Sequence, residues 1–353
     1  YFLTMKTAII TLPFHVNYGG YLQAYALQTV LKQMGHKAYV VSFSQRPTWR
    51  IWISYLKWKI LRLVRNNYGV EDSFKDFFML KINKKFFRTI NDIRESDFEA
   101  YVVGSDQVWR KKFIKNLPYA YLAFTKGWNV KRIAYAPSFG ITEWDYTDEE
   151  TSMCRSLINS FDSISVRETS GADLCEEYFN RTPFVALDPT LIAEKSAYTR
   201  LLNKSIKNVG TFIYYVKKNE AALDINEVLK ALDCKKHKEV YLPCDGYSTD
   251  KLPTVPEWLS YIANADLVLT DSFHACVFCM LFHKPFLVMP SGWGGKSRFE
   301  TLLAPLGLEN HILTTLPSEK QMSVFSKKIN WNDVDAKINE KRKASLSFLK
   351  ELF

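Results

Sequence analysis

The sequence predicts an α/β protein made of two successive strand-and-helix units. Its 353 residues suit two domains better than one. Short apolar runs alternate along the chain with longer segments of helical periodicity, which is the order expected of parallel sheets covered by helices. This alternation starts afresh after the turn Asp188-Pro189-Thr190. We therefore expect a first unit at residues 1–190 and a second unit at residues 191–332.

The first unit should contain six strands and at least three helices. The predicted strands lie at 6–12, 37–43, 100–103, 132–136, 163–166 and 184–187. The predicted helices lie at 20–34, 147–160 and 168–178. Residues 49–90 are rich in aromatic side chains and have a helical or irregular character.

The second unit repeats the pattern on a smaller scale. Its predicted strands lie at 209–216, 239–242, 266–270 and 286–289, and its predicted helices at 219–232, 256–264 and 273–283. A last helix, 333–353, has an apolar face that includes Val334, Ile338 and Leu349. We expect this helix to pack back on the first unit in order to bury that face.

Composition and charge narrow the function classes. The first apolar run is too short before Pro13 to be a signal peptide or a membrane span, so we expect a cytoplasmic protein. The net charge of +10 is concentrated in residues 1–70, which contain nine Lys or Arg and no Asp or Glu. The remainder is balanced, so nucleic acid is not an expected partner. The basic end would attract an anionic substrate or the inner face of a membrane.

The six cysteines point away from disulfide and metal chemistry. They are scattered along the chain, without the density of a secreted disulfide scaffold. Cys276 and Cys279 lie one helical turn apart in an apolar run, and no second pair completes a zinc site. We expect reduced thiols that fill the core, and no bound metal.

Residues 49–65 interleave aromatic and basic side chains without an acidic residue. They contain Trp49, Trp52, Tyr55 and Trp58 together with five Lys or Arg. This pattern predicts a helix near the cleft that meets the inner membrane surface or a polyprenyl phosphate acceptor. A partly buried helix with snorkelling cations is the alternative.

Residues that follow predicted strands are the candidates for a site, because ligands bind beyond the carboxyl ends of parallel strands. The first such segment contains Asn17, Gly19 and Gly20 at the start of a helix. Backbone N–H groups there can hold an anion. A tight turn that requires glycine explains the same residues equally well, since neither a Walker loop nor a dinucleotide fingerprint is present.

The second segment follows strand 100–103 and contains Ser105, Asp106, Gln107 and Trp109. This mixture suits a sugar acceptor, because Asp106 and Gln107 can bind hydroxyl groups and Trp109 can stack on a ring face. Alternatively, Asp106 caps the next helix.

Arg167 ends the third strand of interest, 163–166, with a helix starting behind it. Its planar guanidinium is suited to a carboxylate or a phosphate. A salt bridge to Glu168 or across the domains is the alternative.

The fourth segment links strand 266–270 to a helix whose first turn carries His274. The positive end of that helix favours an anion. Ser272 or Asp271 as the N-cap is the structural interpretation of the same residues. A glycine loop that bears Lys296 and Arg298 then follows, and we expect a mobile anion clamp there in preference to a plain turn.

Five blocks of the sequence resemble the successive motifs of the polysaccharide pyruvyl transferase family, in the family's order and over nearly the whole chain. The blocks are Asn17 to Leu27, Val103 to Trp109, Ser165 to Glu168, Leu187 to Leu191 and Asp271 to Ala275. The resemblance implies a glycosyltransferase-B-like fold, in which two Rossmann-like domains face a cleft with the active site. It also implies phosphoenolpyruvate as donor and, as acceptor, a sugar or lipid-linked oligosaccharide that is a precursor of a cell-surface glycan.

The resemblance assigns Arg167 and His274 to positions that bind the donor or act on it. Some relatives have Arg-Leu-His where this chain has Ser272-Phe273-His274, so Ser272 replaces a donor-binding arginine. Either Lys296 or Arg298 supplies the missing charge, or this branch uses a different donor.

Formation of a pyruvate ketal explains these residue types. The donor's methylene carbon is protonated while one sugar hydroxyl attacks the adjacent carbon, and a second hydroxyl then displaces phosphate. We expect His274 to act as the general acid and Asp106 to activate or orient the hydroxyls. Arg167, Arg298 and Lys296 would hold the donor. No cofactor is required beyond the donor itself. A nucleotide-sugar transferase and a catalytically idle relative that binds glycan are the alternatives.

Overall fold

Two parallel β-sheets form the framework of the molecule. The computed structural model describes residues 4–64, 69–216, 223–234, 237–242, 251–290, 295–317, 325 and 328–353. Within these residues, one sheet has seven strands and the other has four. Both are covered by helices, as expected of an α/β protein.

The first sheet is parallel throughout and has the strand order β3-β2-β1-β4-β5-β6-β7. Its strands are β1 (Lys6–Ile10), β2 (Lys37–Phe43), β3 (Lys84–Phe87), β4 (Ala100–Val103), β5 (Lys131–Ala134), β6 (Ser163–Val166) and β7 (Phe184–Val185). The order reverses at β1, which lies between β2 and β4. A ligand of this sheet is therefore expected beyond the carboxyl ends of β1 and β4.

The second sheet is also parallel, with the order β11-β10-β8-β9. Its strands are β8 (Gly210–Tyr215), β9 (His237–Tyr241), β10 (Ala265–Thr270) and β11 (Phe286–Val288). The order reverses at β8, so the crevice of this sheet lies beyond the carboxyl ends of β8 and β10.

The helices follow the strands, and several of them begin at a side-chain cap. In chain order they are α1 (Tyr18–Gln33), α2 (Thr48–Val64), α3 (Asp72–Lys81), α4 (Leu117–Ala120), α5 (Asp148–Ile158), α6 (Thr169–Phe179), α7 (Pro189–Ile192), α8 (Ser196–Thr199), α9 (Ile225–Ala231), α10 (Val255–Ala263), α11 (Phe273–Phe282), α12 (Gly295–Leu303) and α13 (Trp331–Lys350). Thr147 with Glu150 and Thr254 with Glu257 form capping boxes at α5 and α10. These side chains satisfy N–H groups that the first helical turn leaves without a partner.

Two differences from the sequence prediction affect the site. Strand β3 was not predicted, because Lys84-Lys85-Phe86-Phe87 lacks the apolar alternation of a buried strand, and it lies at the edge of the sheet. Residues 295–303 form helix α12 where a loop was expected. The other residues of that loop, 291–294, lie outside the described part of the chain, as do residues 219–222 of the predicted helix 219–232.

One hydrophobic core joins the two units. It includes Tyr18 of α1, Trp258 of α10 and Phe278 of α11. The rings of Tyr18 and Trp258 stack 4.9 Å apart, and the Tyr18 hydroxyl donates to the Pro253 carbonyl at 2.6 Å. The start of α1 is therefore tied directly to the second unit.

The last helix, α13, contacts both units. Ser345 Oγ accepts a hydrogen bond from Leu187 N at 3.1 Å, and the ring of Phe348 stacks on Phe184 at 5.2 Å. Near the start of α13, Asp335 pairs with His283, at the end of α11, at 3.0 Å. The helix thus bridges β7 of the first sheet and α11 of the second unit.

Candidate functional site

The candidate site lies where the carboxyl edges of the two sheets meet. Gly19, after β1, packs against the imidazole of His274, after β10. Arg167, after β6, lies beneath the ring of Phe273, with its guanidinium carbon 4.6 Å from the ring centroid. Residues that the sequence placed in four separate segments are therefore brought together.

Asp188 is the centre of this arrangement. Its Oδ2 lies 3.0 Å from Arg167 Nη1 and 3.4 Å from His274 Nε2. Its Oδ1 accepts hydrogen bonds from Thr190 N at 2.9 Å and Thr190 Oγ1 at 2.6 Å, and Ser105 Oγ donates to Oδ2 at 3.3 Å. Burial favours the neutral carboxyl, but His274, Arg167 and Thr190 outweigh it and hold the pKa of Asp188 below its usual range.

Arg167 is buried among three carboxylates. Besides Asp188, it lies 3.7 Å from Asp106 and 3.8 Å from Glu168. Burial disfavours its charge, but the three carboxylates outweigh burial and raise the pKa of Arg167. Its Nε and Nη2 atoms have no hydrogen-bond partner among the described residues. Arg167 therefore takes part in the buried salt bridge that the sequence offered as an alternative, and it still has donors for an anion.

Glu168 is a buried carboxylate that lies beside Arg167 and holds the neighbouring backbone in place. Its Oε1 accepts hydrogen bonds from Ser138 Oγ at 2.7 Å, Phe139 N at 3.1 Å and Gly140 N at 3.2 Å. Because three donors hold one oxygen, Glu168 fixes the loop after β5 against the start of α6.

Arg298 supplies a second cation from the opposite unit. Burial and the neighbouring Arg167 lower the pKa of Arg298 to about 10. Its Nε is buried and has no hydrogen-bond partner in the described part of the chain. Two guanidinium groups that repel one another, each with unused donors, are suited to a ligand that carries negative charge.

Lys296, which the sequence offered as a further donor-binding cation, does not join Arg167 and Arg298 in this structure. Its side chain is 59% exposed, and its Nζ pairs with Glu300 at 2.9 Å, one turn along α12. Side chains two positions apart in an α-helix, such as Lys296 and Arg298, differ in direction by roughly 200°. Lys296 and Arg298 therefore leave α12 in nearly opposite directions.

His274 lies in the first turn of α11, where the sequence placed it. A β-carbon on Gly19 would be 2.0 Å from Nδ1 and 2.5 Å from Cγ of this imidazole, so the ring rests directly on the glycine. Ser272 is the N-cap of α11, and its Oγ accepts from Ala275 N at 3.3 Å. The structural interpretation of Ser272 is thus observed.

Asp106 faces the same space from the first unit. Its backbone has a φ of 68°, which few residues other than glycine adopt, and its carbonyl accepts a hydrogen bond from Ser138 N at 2.9 Å. A β-carbon on Gly20 would be 3.8 Å from Asp106 Oδ2. The carboxylate therefore lies between the start of α1 and Arg167, and its oxygens are not used as a helix cap.

Trp109 is not available to a sugar, which corrects the prediction of a stacking platform. It is 0% exposed, its ring stacks on Tyr121 at 5.0 Å, and its Nε1 donates to the Ala120 carbonyl at 3.1 Å. Its face and its donor are both used inside the core.

The other predicted loop residues form hydrogen bonds with neighbouring protein groups. Ser105 is buried, and its single hydroxyl proton is shared between the Ala136 carbonyl, 2.9 Å from Oγ, and Asp188 Oδ2, at 3.3 Å. Gln107 Oε1 accepts from Arg110 Nη1 at 2.9 Å. Asn17 caps α1, and its Oδ1 accepts from Gly19 N at 3.0 Å and Gly20 N at 3.4 Å. These N–H groups are thus already occupied by a side chain.

Sequence reasoning missed the site roles of Asp188 and Glu168. Asp188 follows the predicted strand 184–187 directly, so the strand-end rule that selected the other segments could have found it. Instead, Asp188 was used only to mark the domain boundary and as part of one of the family blocks. Glu168 was considered only as a partner of Arg167.

Among the described residues, no group of three or more His, Cys, Asp or Glu side chains is arranged to hold a metal ion. In the same part of the chain, no helix combines the length and the hydrophobicity that crossing a bilayer demands.

Comparison with protein families gives one match. A family model described as polysaccharide pyruvyl transferase matches residues 17–292, which is most of the chain and contains every residue of the site described above except Arg298. No curated protein matches the chain in sequence.

Solved structures show the fold. Arabidopsis thaliana UGT89C1 has a TM-score of 0.51 and 10% identity, covering 99% of this chain and 98% of that chain. The UDP-GlcNAc 2-epimerase from Neisseria meningitidis, bound to UDP-GlcNAc, has a TM-score of 0.51 and 10% identity, covering 98% of this chain and 100% of that chain. The predicted glycosyltransferase-B-like fold, with two Rossmann-like units, is confirmed by this likeness.

Proposed function

This chain belongs to the polysaccharide pyruvyl transferase family, and we propose that it transfers a pyruvyl group from phosphoenolpyruvate to a pair of hydroxyls on a sugar. The acceptor would be a cell-surface polysaccharide or its precursor, such as a lipid-linked oligosaccharide. The observation that carries the proposal is the pair Arg167 and Arg298, which come from opposite units and have buried N–H groups without a hydrogen-bond partner among the described residues.

Phosphoenolpyruvate has the chemistry that this pair requires. Its carboxylate and phosphate are separated by only a few atoms, so two cations from opposite sides of a cleft can each bind one of them. The unused Nε and Nη2 of Arg167 and the Nε of Arg298 would then gain hydrogen-bond partners. Ser272 leaves the position of a donor-binding arginine without charge, and Arg298 is the residue that we propose replaces it.

The reaction would proceed in two steps at one carbon. In the first, the methylene carbon of the donor takes a proton, and a sugar hydroxyl loses its proton as its oxygen bonds to the adjacent carbon. In the second, the other hydroxyl loses its proton as its oxygen bonds to that same carbon, the carbon–oxygen bond to the phosphate breaks, and inorganic phosphate leaves with the proton. Neither step changes the overall oxidation state, so a redox cofactor is not required.

We assign the first proton transfer to His274. Asp188 lies 3.4 Å from Nε2 and would hold the imidazole in place. The other nitrogen, Nδ1, lies beside Gly19 at the edge where the two sheets meet. A positioned acid of this kind contributes about 10²–10⁴-fold to the rate. Asp106, between Gly20 and Arg167, would orient an acceptor hydroxyl.

Calorimetric titration with phosphoenolpyruvate tests the proposal. We expect the free protein to bind this ligand. Arg298→Ala should weaken binding roughly 10-fold to 150-fold, the equivalent of about 1.5–3 kcal/mol for a charge-assisted hydrogen bond. Lys296→Ala is the matched control on the same helix, and it should bind like the wild type. Arg167→Ala should also weaken binding, but it would leave buried carboxylates uncompensated, so Arg298 is the cleaner probe.

Titration with uridine diphosphate is the parallel arm. If the nucleotide binds and phosphoenolpyruvate does not, the chain is a nucleotide-sugar transferase, as its likeness in fold to a structure bound to UDP-GlcNAc would allow. If neither binds, the catalytically idle relative is favoured. If phosphoenolpyruvate binds, mass spectrometry of candidate glycan intermediates identifies the acceptor by the added ketal.

A further inference from the structure

Helix α2 leaves a large apolar face uncovered. Six side chains of this helix are between 39% and 63% exposed, namely Trp49, Trp52, Ile53, Leu56, Ile60 and Leu61. Residues 49, 53, 56 and 60 recur at the spacing of one helical face. Isolated exposed apolar residues are common, but a contiguous stripe of this kind usually marks an interaction surface. We call this stripe the α2 face.

The opposite side of α2 packs against α3, so the α2 face belongs to an anchored helix and not to a frayed end. Tyr55 is buried, and its hydroxyl donates to the carboxylate of Asp76 on α3. Arg62 Nη1 pairs with the same carboxylate at 3.1 Å. Lys75 Nζ lies 4.6 Å above the ring of Trp58. These contacts set which side of the helix points outward.

Cations border the α2 face on both sides. At 3.6 residues per turn, Arg50 and Lys57 lie along one edge and Lys59 lies along the other. Residues 48–64 contain no Asp or Glu, and the first acidic residue of the chain is Glu71. The arrangement is an apolar stripe with tryptophan side chains between two basic borders.

We propose that the α2 face docks the protein on the surface of an anionic lipid bilayer. The apolar stripe would enter the boundary between headgroups and acyl chains, and the flanking cations would meet the anionic headgroups. Tryptophan is suited to this boundary because its ring is apolar and its N–H is polar. A second copy of the chain fits less well, because two such faces would bring their basic borders together.

Docking through α2 would also orient the site. Helix α2 follows the carboxyl end of β2, which is the neighbour of β1 in the first sheet. Helix α2 therefore begins at the edge of the sheet that carries Gly19 and Asp106. An acceptor anchored in the same bilayer would then lie on the same side of the protein as the cleft. The docking itself does not depend on the identity of the donor.

Sedimentation of the full chain with lipid vesicles tests this inference. Vesicles of phosphatidylcholine alone are compared with vesicles that also contain phosphatidylglycerol, at low and high salt. We expect binding to the anionic vesicles, weakened by salt. Replacing two cations, in Lys57→Gln with Lys59→Gln, should reduce the partition coefficient about fivefold for each cation.

The apolar stripe is tested by Ile53→Ser with Ile60→Ser, which should reduce binding roughly tenfold or more. Leu80→Ser on α3 is the matched control, because Leu80 is 53% exposed but lies outside the α2 face. Hydrogen exchange of the wild type needs no variant, and vesicles should protect the amides of residues 48–64.

Three results would overturn the inference. The first is a wild type that ignores anionic vesicles. The second is undiminished binding by the Ile53 and Ile60 variant. The third is a wild-type dimer in solution that this variant dissociates, without vesicle binding, which would assign the α2 face to a second copy of the chain.

Discussion

Gly19 and His274 lie in contact across the two units, and a β-carbon on Gly19 would come within 2.0 Å of the imidazole. Glycine is required at position 19 for this close approach, since the residue sits in the first turn of α1, where any residue could adopt the backbone conformation. The contact makes the position of the imidazole depend on the first unit.

Gly19→Ala should therefore displace His274 and reduce turnover by about 10²-fold, similar to the loss of a general acid. Gly20→Ala is the matched control, because a β-carbon there would meet Asn17 and Asp106 at 3.6 Å and 3.8 Å, which are ordinary contacts. Steady-state kinetics of both variants decide. Equal activities would mean that the imidazole can move aside without consequence.

His274→Ala should leave the fold intact and reduce turnover by about 10²-fold or more. Removal of the side chain takes away the contact of Nε2 with Asp188 at 3.4 Å, but Asp188 keeps Arg167 and Thr190 as partners. Kinetics and thermal unfolding should be measured together. A fully active variant would exclude His274 from the chemistry, and an unfolded one would indicate a structural role.

Asp188→Asn should destabilise the protein at neutral pH by about 3–5 kcal/mol, because Arg167 would lose its closest buried counter-charge. The pKa of Asp188 is held below its usual range in the fold, so the unfolded chain takes up this proton first as the pH falls. The stabilisation is fully present above the unfolded value of about 4 and is lost progressively below it.

Urea unfolding of the wild type and Asp188→Asn across this pH range measures the effect. The difference between the two free energies of unfolding should shrink as the pH falls below about 4. A difference that is constant with pH would show that the charge of Asp188 does not stabilise the fold.

Trp109→Phe should destabilise the fold and leave the Michaelis constant for the acceptor unchanged. The substitution leaves the Ala120 carbonyl without its donor, which costs about 1–3 kcal/mol. Thermal unfolding and acceptor kinetics separate the two effects. A raised Michaelis constant with unchanged stability would restore the sugar-stacking role that the structure does not support.

The fold was predictable because most of its strands are short buried runs. Strands β1, β4 and β10 read as apolar segments, and the residues that follow each of them indicated where a site could form. Strand β3 was missed because an edge strand needs only one good partner, and its lysines hide the pattern. Pairing with a neighbouring strand, rather than the local sequence pattern, determines that such a segment forms a strand.

The site was only partly predictable, because burial depends on distant residues. The motif that contains Trp109 suggests a sugar platform, and only the packing of Tyr121 reveals a core residue. Asp188 has two roles at once, since one oxygen caps α7 and the other faces Arg167 and His274. The capping role is visible in the sequence as Asp-Pro-Thr, but the contacts with Arg167 and His274 are not. Lys296 and Arg298 could have been separated earlier had a helix been predicted there.

The contact between Asp188 and His274 has a consequence for how this protein can be recombined. His274 and Asp188 are encoded on opposite sides of the linker between the two sheets, and Arg298 and Arg167 are divided in the same way. Neither half contains both members of either charged pair, so neither can be exchanged independently of the other. A chimaera that takes one half from a relative, in order to change the acceptor, keeps only one member of each charged pair. Its activity will depend on whether the other half places the second member at the same position in the interface between the two sheets.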